Sequence, residues 1–356
     1  MINENEFNTP NLMRFQRAAR TDKGVSAVKQ IISFSIANDV AEYLPKVNQL
    51  LPPHIRMFSA KKATKYFDSK NFCDARTYSY LLPSFAICPV DQVTQEDFTV
   101  SKETISEFNT ILKMFTGTHN FHNFTAGKKP TDASAKRFII SFECSEPFLM
   151  SDGDKKIEVL VARVKGQSFM LHQIRKMIGL AIAVMRGFVS PAAITRAFGN
   201  ERLDVPIAPG LGLLLEEVHY ERYNKKYGGD GHHEALLWDD VNDTINSFKN
   251  EHIYPRIVKT ELEEKSMFNW LATLPIHTFD VRTHQIINKS DAIDKPLVRA
   301  HFNATQKTNV KENPAPEAEE EEATSSENVA EKRQLLEIED VDKAEDKAKK
   351  RIKLDV

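Results

Sequence analysis

The chain has 356 residues, more than one average domain, and its hydrophobic fraction of 41% is enough for a sizeable core. No apolar run is long enough to cross a membrane, and the first residues lack the apolar segment of a secretory signal. The net charge of −2 is uneven: residues 311–356 carry 15 acidic and 9 basic side chains, which leaves 35 acidic and 39 basic in residues 1–310. A mildly basic body is compatible with nucleic-acid binding but does not establish it.

The first predicted elements are strands at 30–36 and 76–82, followed by strands at 136–144 and 156–166. The turn sequence SDGDK separates the last two and predicts that they pair. A helix is predicted at 168–187. This pattern of strands and helices, with no dinucleotide-binding glycine fingerprint, predicts an α+β fold with a mixed, largely antiparallel sheet and helices on one face.

Three further elements complete the predicted fold. A short helix at 190–199 has Ser190 as N-cap, Pro191 in its first turn and Gly199 as its end signal. A strand at 212–220 closes the core, and an amphipathic segment at about 240–275 is predicted to be a helical appendage.

Asp22 is the first candidate for chemistry. It lies in the sequence RAARTDKGVSA, where an aspartate before Lys-Gly is ordinary turn chemistry. Arg17, Arg20 and Lys23 surround it, and their positive potential favours the ionised carboxylate. A charged carboxylate on a rigid turn can act as a nucleophile or base toward an electron-poor sugar carbon.

Arg175 is the second candidate, because it lies on or beside the apolar face of the helix at 168–187. A guanidinium at that position either extends to water or pairs with a carboxylate from elsewhere in the fold, and Asp22 is a candidate partner. His172 and Gln173 flank it on the polar side. The predicted core stripe of this helix consists of Leu171, Ile174, Ile178, Ile182 and Met185.

Aromatic and basic side chains supply the remaining candidates. Tyr78 and Tyr80 share one face of a strand; core packing is the simpler interpretation for one of them, and stacking on a base or proton relay the alternative. The loop GTHNFHNFT lacks a third metal ligand, so we expect no metal site. Its alternating aromatics and amides, next to a basic stretch, suit stacking on unpaired bases and phosphate contact. The residues concerned are His119, Phe121, His122, Phe124, Lys128, Lys129, Lys136 and Arg137.

Five motifs in this order resemble the TruA-type pseudouridine synthases, and most closely the eukaryotic tRNA pseudouridine synthase 1 branch. They are ARTDKGVSA, CDARTYSYLLP, GTHNFHNFT, GQSFMLHQIRKMIG and APGLGLLLEEVHY, and they cover roughly residues 14–275. In the last motif, Leu211 stands where an acidic or small polar residue is more usual.

The resemblance implies an isomerase that converts uridine to pseudouridine in tRNA, at anticodon-stem sites, with no cofactor. Asp22 would be the nucleophile, Tyr78 the active-site tyrosine and Arg175 the partner of Asp22. Attack on C1′ and removal of the 2′ proton are both open. The implied RNA-binding residues are Arg17, Arg20, Lys23, His119, Phe121, His122, Lys128, Arg137 and His172. A catalytically inactive RNA-binding protein is the alternative, and a glycosidase-like hydrolase is weakened because no second acid is evident near Asp22.

The resemblance also predicts the domain organisation. Only about twenty residues precede Asp22, whereas the family carries a strand and helices there, so we expect a truncated N-terminal lobe. The expected parts are a partial N-terminal catalytic lobe at 1–72, a C-terminal catalytic lobe at 73–224 with a central RNA cleft, a mostly helical appendage at 225–302 and a disordered acidic tail at 303–356.

The chain ends in the basic cluster AKKRIKLDV. This cluster is either an ordinary charged terminus or a nuclear import signal. We expect a nuclear protein, with a mitochondrial one as the alternative, whose partners are tRNA, other small RNAs or mRNA, and the nuclear import machinery, without a membrane. Three scattered cysteines, Cys73, Cys88 and Cys144, are expected to be free thiols.

Overall fold

A computed structural model of the chain describes residues 13–36, 41–92 and 97–281. The chain divides into two units, Met1–Ile286 and Ile287–Val356, and every described residue lies in the first. The predicted acidic tail at 303–356, its basic cluster and the last part of the predicted appendage lie outside the described residues.

The described residues form nine strands and eight α-helices. The strands are β1 (Gln16–Arg17), β2 (Ser26–Ala27), β3 (Ile32–Ser33), β4 (Ala75–Pro83), β5 (Gly117–Asn120), β6 (Lys136–Cys144), β7 (Phe148–Asp152), β8 (Lys155–Gly166) and β9 (Leu213–His219). The helices are α1 (Leu44–Leu50), α2 (Lys102–Lys113), α3 (Gln173–Met185), α4 (Ala192–Ala197), α5 (Glu221–Tyr227), α6 (Asn242–Phe248), α7 (Tyr254–Glu264) and α8 (Ser266–Leu271).

The strands form one large sheet and one small sheet. The large sheet has seven strands, six of them in the order β2-β9-β4-β8-β6-β5. The seventh, β7, pairs with the first five residues of β8, Lys155 to Val159. Every pairing in it is antiparallel except that of β2 with β9. The small sheet is the antiparallel pair β1-β3. The predicted α+β class with a mixed, largely antiparallel sheet is confirmed.

Strand β4 lies in the middle of the large sheet, between β9 and β8. All but one of its nine residues are buried, as expected of a central strand covered on both faces. Tyr78 and Tyr80 share one face of β4, as period 2 predicts, and Ser79 points to the other face together with Arg163 of β8.

Helix α3 is buried on nearly every side, because after its polar first turn it contains only apolar residues and glycine, from Met177 to Met185. It packs against α2, and its buried residues include Ile174, Ile178 and Ile182 of the predicted stripe. Leu171 was predicted in that stripe but is 57% exposed, because the helix begins only at Gln173.

Three other elements differ from prediction. The turn sequence SDGDK joins β7 to β8, so the strand pair predicted for 136–144 and 156–166 is made by β6 and β8 with β7 between them in the chain. Only two residues of the predicted strand at 30–36 pair, as β3. Helix α4 begins at Ala192 with Pro191 as its N-cap residue, and Ser190 does not cap it.

Within the described residues, the segment predicted as a helical appendage contains the helices α6, α7 and α8. Helices α6 and α7 are joined by a π-helical turn, Lys249–Ile253, and α7 packs against β7. Buried Glu261 of α7 accepts hydrogen bonds from the backbone N–H of Met267 at 2.8 and 2.9 Å, which fixes the start of α8. The appendage meets the Ser79 face of the sheet through Lys249, which approaches Glu216 of β9 at 3.4 Å.

The three cysteines are free, as predicted, and two of them are buried. Throughout the described ranges, no helix combines the length and apolar character needed to cross a membrane.

Candidate active site

Asp22 begins a tight turn between β1 and β2. Its carbonyl oxygen accepts a 3.1 Å hydrogen bond from the N–H of Val25, and Gly24 takes a φ of +81°, a conformation that costs a glycine little. The turn predicted from the TDKG sequence is therefore present. The side chain of Asp22 is 28% exposed, so its carboxylate is half-buried and open to solvent on one side.

Side chains from other segments hold the chain that leads into this turn. Arg76 of β4 donates two hydrogen bonds, of 3.2 and 2.5 Å, to the carbonyl oxygen of Ala18. The side-chain amide of Gln30 bonds both backbone groups of Ala19, at 2.9 and 3.2 Å. Ala18 and Ala19 are buried. The approach to Asp22 is thus fixed to the central strand.

Arg175, in the first turn of α3, faces Asp22. Its Nη1 lies 3.2 Å from Oδ2 of Asp22, and its Nε donates a 2.8 Å hydrogen bond to the carbonyl oxygen of Ala208. The predicted ion pair between two residues 153 positions apart is therefore present. Because one edge of the guanidinium is held by the backbone, its direction toward the carboxylate is fixed.

His172 lies beside the same carboxylate oxygen. Its Nε2 is 3.7 Å from Oδ2 of Asp22, an ion pair only when the imidazole is protonated. The residue is the N-cap of α3 and has a φ of +61°, in the left-handed region that is uncommon for residues other than glycine. A strained backbone thus directs the imidazole to Asp22.

Tyr78 is the aromatic residue of the site. Its ring meets that of Phe169 edge-to-face, with centroids 5.3 Å apart. Burial raises the pKa of the Tyr78 phenol above its ordinary value, and the charge of Asp22 adds to the rise. The phenol is therefore neutral at physiological pH and can donate a hydrogen bond.

Comparisons with known proteins show sequence similarity to pseudouridine synthases. The family model described as tRNA pseudouridine synthase matches residues 111–221, which include Arg175. The human pseudouridylate synthase 1 homolog is 50% identical over 279 residues, which cover 78% of this chain and 64% of the human protein. The chain is thus similar in sequence to the tRNA pseudouridine synthases.

Two further relatives have the same kind of name. The pseudouridylate synthase 1 homolog of the mouse is 49% identical over 279 residues, covering 78% of this chain and 65% of the mouse protein. The tRNA pseudouridine synthase 1 of Yarrowia lipolytica is 28% identical over 409 residues, covering 92% of this chain and 76% of the yeast protein. The chain thus spans less than two thirds of the length of the human and mouse proteins that it matches.

The basic residues near the turn lie differently from the prediction. Arg17, Arg20 and Lys23 are exposed, and within the part of the chain that the structure describes none of them pairs with Asp22. The cation beside the carboxylate is instead Arg175, from a distant helix. Exposure leaves all three of these basic side chains available to an RNA backbone.

The loop GTHNFHNFT is largely core, which corrects its prediction as an RNA-stacking loop. Phe121, His122 and Phe124 are fully buried. Asn123 fixes the loop through hydrogen bonds to the carbonyl oxygens of Ala197 and Glu201, at 3.0 and 2.8 Å. Phe121 and His122 therefore present no surface to RNA in this structure. The rings of Phe121 and His122 pack in the core. The sequence pattern of such a loop does not distinguish rings that pack in the core from rings that stack on bases.

The other predicted RNA contacts of this region are partly accessible. The ring of His119 stacks on that of Phe198 at 4.1 Å between centroids, so one of its faces is covered. Lys128 is half-buried and its carbonyl accepts a hydrogen bond from Arg202. Burial lowers the pKa of Arg137, whose Nη1 bonds the carbonyl of Lys136. We find no group of three metal-ligating side chains in the described ranges.

Sequence reasoning missed the residues that position the site. Arg76 and Gln30 hold the chain before Asp22, and the buried hydroxyl of Tyr80 bonds the carbonyl of Pro209, close to Arg175. One signal was present in the sequence: period 2 places Arg76 on the same strand face as Tyr78 and Tyr80. An arginine among buried aromatics needs a fixed acceptor.

Proposed function

We propose that this protein isomerises uridine to pseudouridine in tRNA, with Asp22 as the nucleophile and Arg175 as the residue that orients it. The observation that carries the proposal is the 3.2 Å contact between the Arg175 guanidinium and the carboxylate of Asp22, on a turn fixed to the central strand. The names of the human and yeast relatives support the same reaction, and the name of the yeast relative supports tRNA as the substrate.

The two carboxylate oxygens of Asp22 have different surroundings. Oδ2 faces Arg175 and His172, whereas Oδ1 accepts no hydrogen bond from any residue that the structure describes. Arg175 therefore stabilises the charge from one side and leaves Oδ1 for the substrate. A charge fixed in this way holds the carboxylate in one orientation without rearrangement at the moment of reaction.

The proposed reaction exchanges one bond for another within the nucleotide. The glycosidic bond between C1′ and N1 breaks, either because Asp22 attacks C1′ or because it removes the 2′ proton. The uracil ring then rotates, and its C5 forms a bond to C1′. On the first route this displaces the carboxylate of Asp22 from C1′, and on the second Asp22 returns the proton to C2′. The proton on C5 leaves, and N1 takes up a proton, so the product is an isomer of the substrate. No redox partner is needed for this balance.

Tyr78 fits a supporting role in these steps. Its phenol is neutral because burial raises its pKa, so it cannot act as an anionic base at neutral pH. A neutral hydroxyl both donates and accepts, which suits a proton relay from C5. Tyr78 lies on β4, the strand that also carries Arg76. Arg76 holds the chain that leads into the Asp22 turn.

The proposed substrate is a uridine held in folded tRNA, at anticodon-stem sites, with other small RNAs or mRNA as further substrates. The uridine must leave its stack to reach a half-buried carboxylate, at a cost of a few kcal/mol. Exposed Arg17, Arg20 and Lys23 next to Asp22 supply phosphate contacts that offset this cost.

Release of tritium from C5-labelled uridine in a tRNA transcript tests the proposal. We expect release by the unchanged protein, none by Asp22→Ala, and normal release by Asp152→Ala. Asp152 is the matched control because it is an exposed aspartate before a glycine in the β7–β8 turn. RNA binding without tritium release, unchanged by Asp22→Ala, would instead indicate an inactive RNA-binding protein.

We also propose nuclear localisation through the C-terminal basic cluster, which the sequence places on an acidic, polar tail. The experiment replaces Lys349, Lys350 and Arg351 by alanine in a fluorescently tagged full chain. Loss of nuclear accumulation with unchanged tritium release is the expected result. An unchanged distribution, or a mitochondrial one, would contradict this proposal.

A further inference from the structure

Beyond the site around Asp22, the structure has an exposed aromatic side chain surrounded by cations. Tyr66 is 67% exposed, although it is a large aromatic residue. The guanidinium carbon of Arg14 lies 5.2 Å from the centre of its ring, and Nζ of Lys65 lies 5.7 Å from it. Both distances are typical of cation–π contacts.

We propose that Tyr66, Arg14 and Lys65 form a second RNA-binding site, the Tyr66 platform, which takes an unpaired base and its phosphates outside the catalytic pocket. The Tyr66 platform rests on the proposed function, since it takes RNA as the ligand. An aromatic ring stacks on any base, while guanidinium and ammonium groups contact the phosphates beside it.

A rigid support lies under the platform. Ser69, three residues after Tyr66, is fully buried. Its hydroxyl donates a 3.1 Å hydrogen bond to the carbonyl of Gln16 in β1, and its carbonyl accepts a 2.7 Å bond from the hydroxyl of Tyr220. The segment that carries Tyr66 is thus fixed to the strand that leads into the Asp22 turn.

Arg14 is held in a conformation that an ordinary residue avoids. Its φ is +50°, in the left-handed region. The N–H of Ser35 donates a 2.7 Å hydrogen bond to the carbonyl of Met13, which fixes the backbone just before Arg14. Strained residues of this kind concentrate at functional sites, and here the strained residue directs a guanidinium onto an exposed ring.

The two segments that meet at the platform are strongly basic, and both Asp22 and Asp68 within them already accept hydrogen bonds. Asp22 pairs with Arg175, and Asp68 accepts hydrogen bonds from the N–H groups of Lys70 and Asn71 at 2.8 and 3.0 Å. The exposed cations of the two segments are Arg14, Arg17, Arg20, Lys23, Lys62, Lys65 and Lys70. Such a surface fits a polyanion.

The platform lies within reach of an RNA bound at Asp22. Arg14 and Asp22 are eight positions apart in the chain, which limits their Cα–Cα distance to about 29 Å. A helical nucleic-acid strand covers that distance in fewer than about ten steps of roughly 3.4 Å. One RNA arm can therefore contact Tyr66 and present a uridine to Asp22 at the same time.

The experiment measures binding of the full chain to a fluorescein-labelled, unmodified tRNA transcript by anisotropy at three salt concentrations. We expect Tyr66→Ala to weaken binding about tenfold and Tyr66→Phe to stay within about twofold, because stacking needs the ring and not the hydroxyl. Lys65→Gln should reduce the slope of log K against log salt concentration by about 0.7 to 0.9, the share of one phosphate contact. Lys113→Gln, an exposed lysine at the end of α2, should change neither.

Tritium release, measured on the same samples, separates the two proposals. Unchanged binding by Tyr66→Ala, in a protein that binds RNA and releases tritium, would overturn the platform and leave the function intact. Weaker binding by Tyr66→Ala, in a protein that releases no tritium, would support the platform and count against the isomerase. A protein that binds no RNA contradicts both. Tyr66 is exposed, so the thermal midpoint of Tyr66→Ala should match that of the unchanged protein.

Discussion

The hydroxyl of Tyr80 donates a 2.7 Å hydrogen bond to the carbonyl oxygen of Pro209, and this bond fixes the segment against which Arg175 packs. Ala208 accepts the Nε–H of Arg175, and a Cβ added at Gly210 would lie 3.7 Å from its guanidinium carbon. Burial raises the pKa of Tyr80 far above its ordinary value, so its hydroxyl remains a donor at every physiological pH. Strand β4 thus supports the partner of Asp22 as well as its turn.

We predict that Tyr80→Phe lowers kcat by about tenfold with little change in KM. The substitution leaves the Pro209 carbonyl without its donor, so the segment beside Arg175 loosens, and the free energy of unfolding falls by about 1 to 3 kcal/mol. Kinetics on labelled tRNA and chemical denaturation give the two values. Ser84→Ala is the control, because it removes a similar buried bond, 2.8 Å to the carbonyl of Phe98, elsewhere in the fold. Equal kcat losses in both variants would assign the effect to stability alone.

Arg175→Lys should lower kcat by about 10- to 100-fold. A lysine cannot bond the Ala208 carbonyl and the carboxylate of Asp22 from one planar group, so the charge remains but its direction is lost. Single-turnover rates measure the effect. Arg163→Lys is the matched control, because Arg163 bonds Glu216 through two nitrogens, at 3.0 and 3.1 Å, on the other face of the sheet. Normal catalysis by Arg175→Lys would show that charge alone suffices.

His172→Asn and His172→Ala separate the backbone role of His172 from its side-chain role. Asparagine tolerates the left-handed conformation at the N-cap of α3 and keeps a donor near Asp22, whereas alanine does neither. We expect stability close to that of the unchanged protein for His172→Asn and a loss of about 1 kcal/mol for His172→Ala, because the left-handed conformation costs alanine more than asparagine. The rate should fall further in His172→Ala than in His172→Asn. Equal rates for both variants would restrict His172 to the backbone.

The parts of the fold that were predicted correctly follow from local pattern. Strand β6 has the predicted bounds of 136–144, and β8 differs from its prediction by one residue, because alternating or continuous apolar runs with turn residues at their ends define strands directly. Likewise, Arg175 on an apolar helix indicated a distant carboxylate, and Asp22 is that carboxylate.

The parts that were missed depend on partners distant in the chain. The sequence pattern predicted that Phe121 and His122 stack on RNA bases, because a sequence does not show that Asn123 fixes this loop in the core. Arg17 and Arg20 read as neighbours of the Asp22 carboxylate, because adjacency in sequence does not show where side chains point. Strand β7 is an exception, because its partner β8 follows it directly in the chain; it was missed because its sequence FLMSD is short, mostly exposed and without β-branched residues.

Glu216 connects the helical appendage to the sheet and gives the protein a specific acid sensitivity. It is the extra residue of a bulge in β9, between the pairs Thr77–Glu217 and Tyr78–Leu215, so its side chain leaves the ladder and meets Arg163 and Lys249. Burial acts to raise the pKa of Glu216, but the hydrogen bonds and charge of Arg163, with the charge of Lys249, outweigh it, and the pKa lies below its ordinary value.

Because the pKa of Glu216 is lower in the folded state than in the unfolded state, ionised Glu216 stabilises the fold above the unfolded pKa of about 4.3. This stabilisation is lost as the pH falls through the lower, folded pKa. We therefore expect Glu216→Gln to lower the free energy of unfolding by about 1 to 3 kcal/mol at pH 7, and the difference to shrink progressively below about pH 4.3. Denaturation at several pH values measures it, with exposed Glu146→Gln as the control. A difference that stays constant down to pH 3 would mean that the carboxylate charge of Glu216 does not hold the appendage.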